Sequence, residues 1–248
     1  MKPCMLVTGA SRGIGAATAL LGATRGYTVM VNYVTDQAAA LNVCERIAAA
    51  GGQAFAVQAD VADEDQVLAM FAAFDARGLG LTALVNNAGV VGLVGPFVDY
   101  SAARLKRTFD VNVYGAFLVA REALKRMSTL HGGRGGAIVN LSSAAARIGS
   151  PHEFIDYAAS KGAIDSMTLG LSKEFAAHGV RVNAVRPGLI DTEIHASAGA
   201  PDRVQRFSPM IPMQRAGQVD EVAQAIMWLL SDEASYITGT FLDVSGGR

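Results

Sequence analysis

Short apolar runs alternate with longer segments of helical period along the whole of this chain, and that alternation leaves few folds open. Residues 4–8, 28–32, 54–58, 81–86, 137–141, 180–185 and 241–244 read as strands. Between them lie helical segments at 13–25, 36–50, 101–128, 154–177 and 220–230. A further helix opens on Asp63-Glu64-Asp65, an acid-rich start that suits a helix N-terminus. The strand-like runs are apolar almost throughout, as in strands covered on both faces. Strands joined by helices pair in parallel through right-handed crossovers. The expectation is an α/β fold: a doubly wound, seven-stranded parallel sheet in a single domain spanning residues 1–248. With 51% hydrophobic and 17% charged residues, the chain can fill the large core such a sheet needs. One long irregular stretch, residues 189–218, holds Pro201, Pro209 and Pro212. A loop of that length in a compact domain points to a functional flap.

Charge and composition exclude several partners. A net charge of −1 gives no field for nucleic acid or an anionic membrane. No uncharged apolar stretch reaches the roughly 18 residues of a membrane span. The chain enters its first strand within a few residues, without room for a signal peptide, so a cytoplasmic location is expected. Cys4 and Cys44 are too few for a disulfide framework and read as reduced, small hydrophobes. His131, His152, His178 and His195 show no ligand spacing with cysteine. Asp191, Glu193 and His195 read as a polar loop, so no metal is expected.

Ligands of open α/β sheets bind outside the carboxyl ends of the strands, and there the distinctive residues gather. The first strand runs into Thr8-Gly9-Ala10-Ser11-Arg12-Gly13-Ile14-Gly15. Glycines in such a turn let the backbone approach a pyrophosphate, whose charge the next helix N-terminus stabilises. Asp60-Val61 follows the third strand, where a carboxylate can accept from an adenine amino group. Asn86-Asn87-Ala88-Gly89 follows the fourth, Ser142-Ser143 the fifth, and Pro187-Gly188 the sixth, with Thr192 just beyond. Tyr157 and Lys161 stand one turn apart on a helix face. A cation there can lower a phenol's pKa toward neutrality and make it an acid/base.

Together these motifs closely resemble those of the short-chain dehydrogenase/reductases of about this chain's length. The ordered set is Thr-Gly-x-x-x-Gly-x-Gly, Asn-Asn-Ala-Gly, Asp110-Val111-Asn112-Val113, Ser143, Tyr157-x-x-x-Lys161 and Pro187-Gly188, and it spans the chain. The resemblance implies a Rossmann-type fold and a nicotinamide cofactor. It implies that Tyr157 is the acid/base, that Ser143 donates to the substrate oxygen, and that Lys161 binds the nicotinamide ribose and tunes Tyr157. Asn112 would hold a water linking Lys161 to solvent. Cofactor contacts would come from Gly9, Ser11, Arg12, Gly13, Ile14, Gly15, Asn32, Tyr33, Asp60, Val61, Asn87, Ala88 and Gly89, besides Tyr157 and Lys161. Pro187, Gly188, Ile190 and Thr192 resemble the segment that orients the nicotinamide carboxamide. Family members are usually homotetramers; here segments 105–127, 155–175 and 239–248 would supply the interfaces.

An acidic residue ending the second strand would select NAD by accepting from the adenosine ribose and repelling a 2′-phosphate. Here that end reads Val31-Asn32-Tyr33-Val34-Thr35, with no carboxylate before Asp36, and Arg12 can reach a 2′-phosphate. NADP is therefore expected, with NAD as the alternative. The substrate pocket should be walled by residues 144–154, 92–97 and the flap. Arg147, His152, Glu153, Phe154, Ile194 and His195 are its candidate lining residues. That mix is neither uniformly apolar nor strongly basic, and it suggests a sugar, polyol or small ketone. A 3-oxoacyl carrier-protein reductase is the alternative. It would need a basic docking patch, for which Arg104, Lys106, Arg107, Lys125 and Arg126 are the candidates. A dinucleotide sensor without turnover is the third reading, and it has no need of Tyr157.

Overall fold

The computed structural model describes residues 3–248. Seven parallel strands form one sheet in the order β3-β2-β1-β4-β5-β6-β7. They are β1 (Pro3–Val7), β2 (Thr28–Tyr33), β3 (Gln53–Gln58), β4 (Gly80–Asn86), β5 (Gly136–Leu141), β6 (Val180–Pro187) and β7 (Phe241–Val244). Strand order reverses at the step from β1 to β4, which opens a crevice at the carboxyl edge beside β1. Cys4 through Val7 are fully buried, as an apolar run sandwiched between two helix layers must be. Burial lifts the Cys4 thiol pKa to about 12, so it is an inert core group.

One helix layer holds α1 (Gly13–Thr24), α2 (Gln37–Ala49) and α10 (Val219–Leu230); the other holds α3 (Glu64–Asp75), α5 (Ala116–Met127) and α7 (Ile155–Phe175). Their ends follow capping chemistry. Asp36 accepts from Ala39 N at the start of α2, and Asp63 from Gln66 N at the start of α3. Gln218 and Glu221 close a capping box on α10.

The continuous helix expected over 101–128 is instead α4 (Ala102–Phe109), a wider π-helical segment Asp110–Gly115, and α5. The extra width has a cause. A Cβ on Gly115 would lie 2.8 Å from the Val61 carbonyl oxygen, so the helix backbone rides directly on the chain leaving β3. In the same segment the Asn112 side chain reaches across to Val90, as described below. Within the irregular stretch 189–218 the chain forms two short helices, α8 (Ile194–Ser197) and α9 (Arg203–Phe207). A helix of four residues, α6 (Ala145–Ile148), follows β5. Among the described residues no helix is long and apolar enough to cross a membrane.

Candidate active site

A cleft of about 560 Å³ runs along the carboxyl edge of the sheet. Its floor is the turn between β1 and α1, and its lining includes Gly9, Ser11, Arg12, Gly13, Ile14 and Gly15. The turn is fixed from behind. Asn87 Nδ2 donates to the carbonyls of Thr8 (2.8 Å) and Gly9 (3.1 Å), while Thr8 Oγ1 accepts from the backbone NH groups of Asn87 and Ala88, each at 2.9 Å. A Cβ on Gly15 would come within 2.5 Å of the Gly9 carbonyl oxygen, so only glycine lets α1 start this close to its own turn. Bare backbone at a helix N-terminus therefore faces the cleft, as a pyrophosphate requires.

Asn32 is a correction. Expected to touch the cofactor, it is fully buried and absent from the cleft wall. Its Oδ1 accepts from Gly9 N and its Nδ2 donates to the Ala59 carbonyl at 3.0 Å, so it braces the turn. Adjacent strand residues point to opposite sides, and Tyr33, the next residue, does line the cleft with Val34, Thr35 and Asp36. Asp60 and Val61 form the far wall; Asp60 already accepts from Ala62 N (3.0 Å) and from Arg107 (3.0 Å). Arg12 is two-thirds exposed and faces Glu193 of the flap at 3.5 Å.

At the other end stand Ser143, Tyr157 and Lys161, with Asn87, Ala88 and Gly89 opposite. Ser142 Oγ is turned inward onto the Lys161 carbonyl, leaving Ser143 as the hydroxyl beside Tyr157. Lys161 is 4% exposed; its Nζ donates to the Leu141 carbonyl at 2.7 Å and lies 5.4 Å from the Tyr157 ring centre. Burial lowers the Lys161 pKa to about 8, against a small opposing pull from Asp165. Tyr157 shifts opposite to the sequence expectation. Burial raises its pKa above the ordinary phenol value, and the neighbouring Ser143 hydroxyl pulls it back.

Asn112 is 1% exposed and outside the cleft wall. Its Oδ1 accepts from Val90 N (2.7 Å) and its Nδ2 donates to Val90 O (2.9 Å) and Ser160 Oγ (3.0 Å). The amide is thereby engaged at both ends and ties Val90 to Ser160. Pro187, Gly188, Ile190 and Thr192 line the cleft as expected, with Thr192 standing over Gly13.

Of the expected substrate-pocket residues, Phe154, Ile194 and His195 line the cleft, while Arg147, His152 and Glu153 do not. Arg147 pairs with Asp243, and Glu153 with Arg203. Ser150, Ser197 and Arg203 line it unannounced by any motif. The irregular segment 189–218 is tied to residues 92–97, where Val94 N donates to the Ala198 carbonyl at 3.0 Å. Among the described residues no cluster of His, Cys, Asp or Glu is placed to hold a metal ion.

Residues 9–248 match the family model described as enoyl-(acyl carrier protein) reductase, one of the short-chain dehydrogenase models. The uncharacterised oxidoreductase YgfF of Escherichia coli is 59% identical over 243 residues, covering 98% of each chain. A 3β-hydroxysteroid dehydrogenase of Eggerthella lenta is 41% identical over 244 residues, covering 98% of this chain and 92% of that one. The crystal structure of the acetoin dehydrogenase YohF from Salmonella typhimurium superposes with a TM-score of 0.85 at 31% identity, covering 100% of this chain and 97% of the other. Cleft, strand-end residues and likeness agree: the chain belongs to the short-chain dehydrogenase/reductase family and is an NAD(P)-dependent oxidoreductase acting between an alcohol and a carbonyl.

Proposed function

We propose that this enzyme interconverts a small ketone, sugar or polyol carbonyl with its secondary alcohol, using NADP(H). The observation that carries this reading is the makeup of the cleft's substrate end, where Ser150, His195, Ser197 and Arg203 stand among Ile148, Phe154 and Ile194. Polar groups on that wall suit a small oxygenated substrate better than an apolar polycycle. The likeness to a structure named as an acetoin dehydrogenase supports the same class. Against the carrier-protein alternative, the basic residues that would dock a carrier are each engaged with a carboxylate. Arg104 pairs with Asp156, Lys106 with Asp110, Arg107 with Asp60, Lys125 with Glu122, and Arg126 with Asp75 and Glu122.

A bound nicotinamide supplies the hydride. Ser143 and Tyr157 donate hydrogen bonds to the substrate oxygen and stabilise the negative charge that builds there. Tyr157 then releases its proton to that oxygen. Lys161, with a pKa near 8, exchanges protons close to neutral pH and can restore the phenol. Asn112 is a positioning residue: it ties Val90 to Ser160 on the helix that carries Tyr157. For NADP, the supports are the exposed Arg12 and the carboxylate-free end of β2; Asp36 is engaged in capping α2. Exposed Phe109, Tyr114 and Phe117 along α4, the π segment and α5 support a homotetramer, and the composition supports a cytoplasmic enzyme.

The test is a panel of carbonyls and alcohols followed at the nicotinamide absorbance band with NADPH and NADH. Turnover is expected with NADPH in preference to NADH. Tyr157→Phe is expected to abolish turnover while NADPH affinity stays within a few-fold. Substantial residual turnover in that variant would remove Tyr157 from its role.

A further inference from the structure

The reaction above uses the hydroxyls of Ser143 and Tyr157 and leaves His195, on the flap wall of the same cleft, without a task. Its Nε2 lies 2.8 Å from the Ile190 carbonyl oxygen. A carbonyl oxygen only accepts, so Nε2 carries the ring proton. Burial holds the imidazole below its ordinary pKa; the Ile190 carbonyl raises it, nearby Arg203 lowers it further, and Asp191 and Glu153 raise it. Near neutral pH the ring is therefore uncharged, and its second nitrogen, Nδ1, is a bare acceptor.

Among the described residues nothing donates to Nδ1. The buried side-chain polar atoms without a partner among the described residues are Asn140 Oδ1 and Asp165 Oδ1, so Nδ1 is not sealed into the core. His195 lines the cleft, and Nε2 is tethered to the flap's own backbone. With Nε2 committed to the backbone, Nδ1 is the ring nitrogen left free for a ligand. Arg203, the charged neighbour on this wall, is directed at Glu153 instead. The Ile190 tether also fixes which nitrogen is bare, so the acceptor is preorganised rather than chosen on binding.

We propose that His195 Nδ1 accepts a hydrogen bond from a second hydroxyl of the substrate, making the enzyme selective for hydroxyketones and diols over simple ketones and alcohols. This rests on the small-carbonyl reading and narrows it. Ser143 and Tyr157 take the reacting oxygen, while His195 recognises a neighbouring one. A single neutral hydrogen bond of this kind changes selectivity about five- to tenfold.

The experiment compares kcat/KM with NADPH for butan-2-one, 3-hydroxybutan-2-one and 4-hydroxybutan-2-one. Two variants separate acceptor from tether. His195→Gln places an amide NH near the Ile190 carbonyl but removes the Nδ1 acceptor; His195→Asn places an amide oxygen at the Nδ1 position and gives up the tether. The wild type should prefer a hydroxyketone. His195→Gln should lower the hydroxyketone-to-ketone ratio about five- to tenfold, and His195→Asn should keep most of it. The wild-type ratio should also fall as pH drops below the imidazole range, a step missing from His195→Gln. An unchanged ratio in His195→Gln, or equal loss in both variants, would overturn the proposal and leave His195 a flap tether. Turnover of all three ketones without preference sinks this inference alone; turnover of none sinks the small-carbonyl reading with it.

Discussion

Replacing Lys161 by Met should stabilise the cofactor-free protein at pH 7 and destabilise it at pH 10, a reversal set by one buried amine. Lys161 is 4% exposed, and its Nζ has a single protein partner, the Leu141 carbonyl at 2.7 Å. The nearest helpful carboxylate, Asp165, is already held by Arg186 at 2.8 Å. Burial brings the native pKa to about 8, whereas an unfolded lysine titrates near 10.4. At about 1.4 kcal/mol per unit, keeping the ammonium inside at pH 7 costs about 3 kcal/mol. Methionine matches the stem and carries no charge, but it leaves the Leu141 carbonyl unpaired, a loss of about 1 kcal/mol. The variant should therefore be about 2 kcal/mol more stable at pH 7. Between pH 8 and 10.4 the unfolded chain keeps this proton while the native state sheds it. The unfolded state then binds more protons, and wild-type stability climbs with pH. By pH 10 about 0.7 kcal/mol of that cost remains, and the wild type should lead by about 0.3 kcal/mol. Urea unfolding of both proteins at pH 7, 8.5 and 10 measures this, and subtraction cancels every titrating group they share. A stability difference that does not vary with pH would show that Lys161 keeps an ordinary pKa in the native state.

Arg12→Ala should weaken NADPH far more than NADH, read as the two dissociation constants by nicotinamide fluorescence. The exposed Arg12–Glu193 pair contributes little to stability, so Tm should barely move, and equal losses for both cofactors would show that Arg12 does not read the 2′-phosphate. Asp156→Ala should cost about 3 kcal/mol or more in urea unfolding at pH 7. It leaves Arg104, which now makes two 2.9 Å bonds to a fully buried carboxylate, without its partner. Despite the desolvation that raises it, the Asp156 pKa is held below the ordinary value by Arg104 and Thr108. The stability it contributes is therefore present above the unfolded pKa and lost as pH falls through the lower native one. The gap between wild type and variant should narrow in acid; a gap constant down to pH 3 would refute the pairing.

The strands were legible because each is buried on both faces, so their apolar runs carry no competing pattern. The cleft's composition followed from topology: parallel strands bring their carboxyl ends to one edge, and the residues flagged there by type were brought together. What stayed hidden depended on distant segments. Nothing in residues 101–128 says that the chain leaving β3 will press on Gly115 or that Val90 will stand opposite Asn112, so the break in the helix could not be read. Asn32 and Tyr33 were both expected at the cofactor, but strand alternation turns only Tyr33 to the cleft. The direction of the Tyr157 shift was missed because a spacing of four reveals proximity to a cation but not the burial that outweighs it. Arg203 lies in a segment without periodicity, and its partner Glu153 is far away in sequence.

Helix α7 shows how this chain holds the two groups proposed to react. Three of its polar side chains are clamped from other elements: Asp156 by Arg104 of α4, Ser160 by Asn112 of the π segment, and Asp165 by Arg186 of β6. Tyr157 and Lys161, interleaved with them, have far less, a serine hydroxyl and one carbonyl. The clamps fix the helix in position and rotation without touching the cleft. Tyr157 and Lys161 are then held in place by the backbone beneath them instead of by partners that would satisfy their hydrogen-bonding capacity. Such an arrangement concentrates unsatisfied polarity where charge is to develop. It also explains why the stability penalty of Lys161 is tolerated: cooperative anchoring at three neighbouring points keeps α7 from relaxing the buried amine toward water.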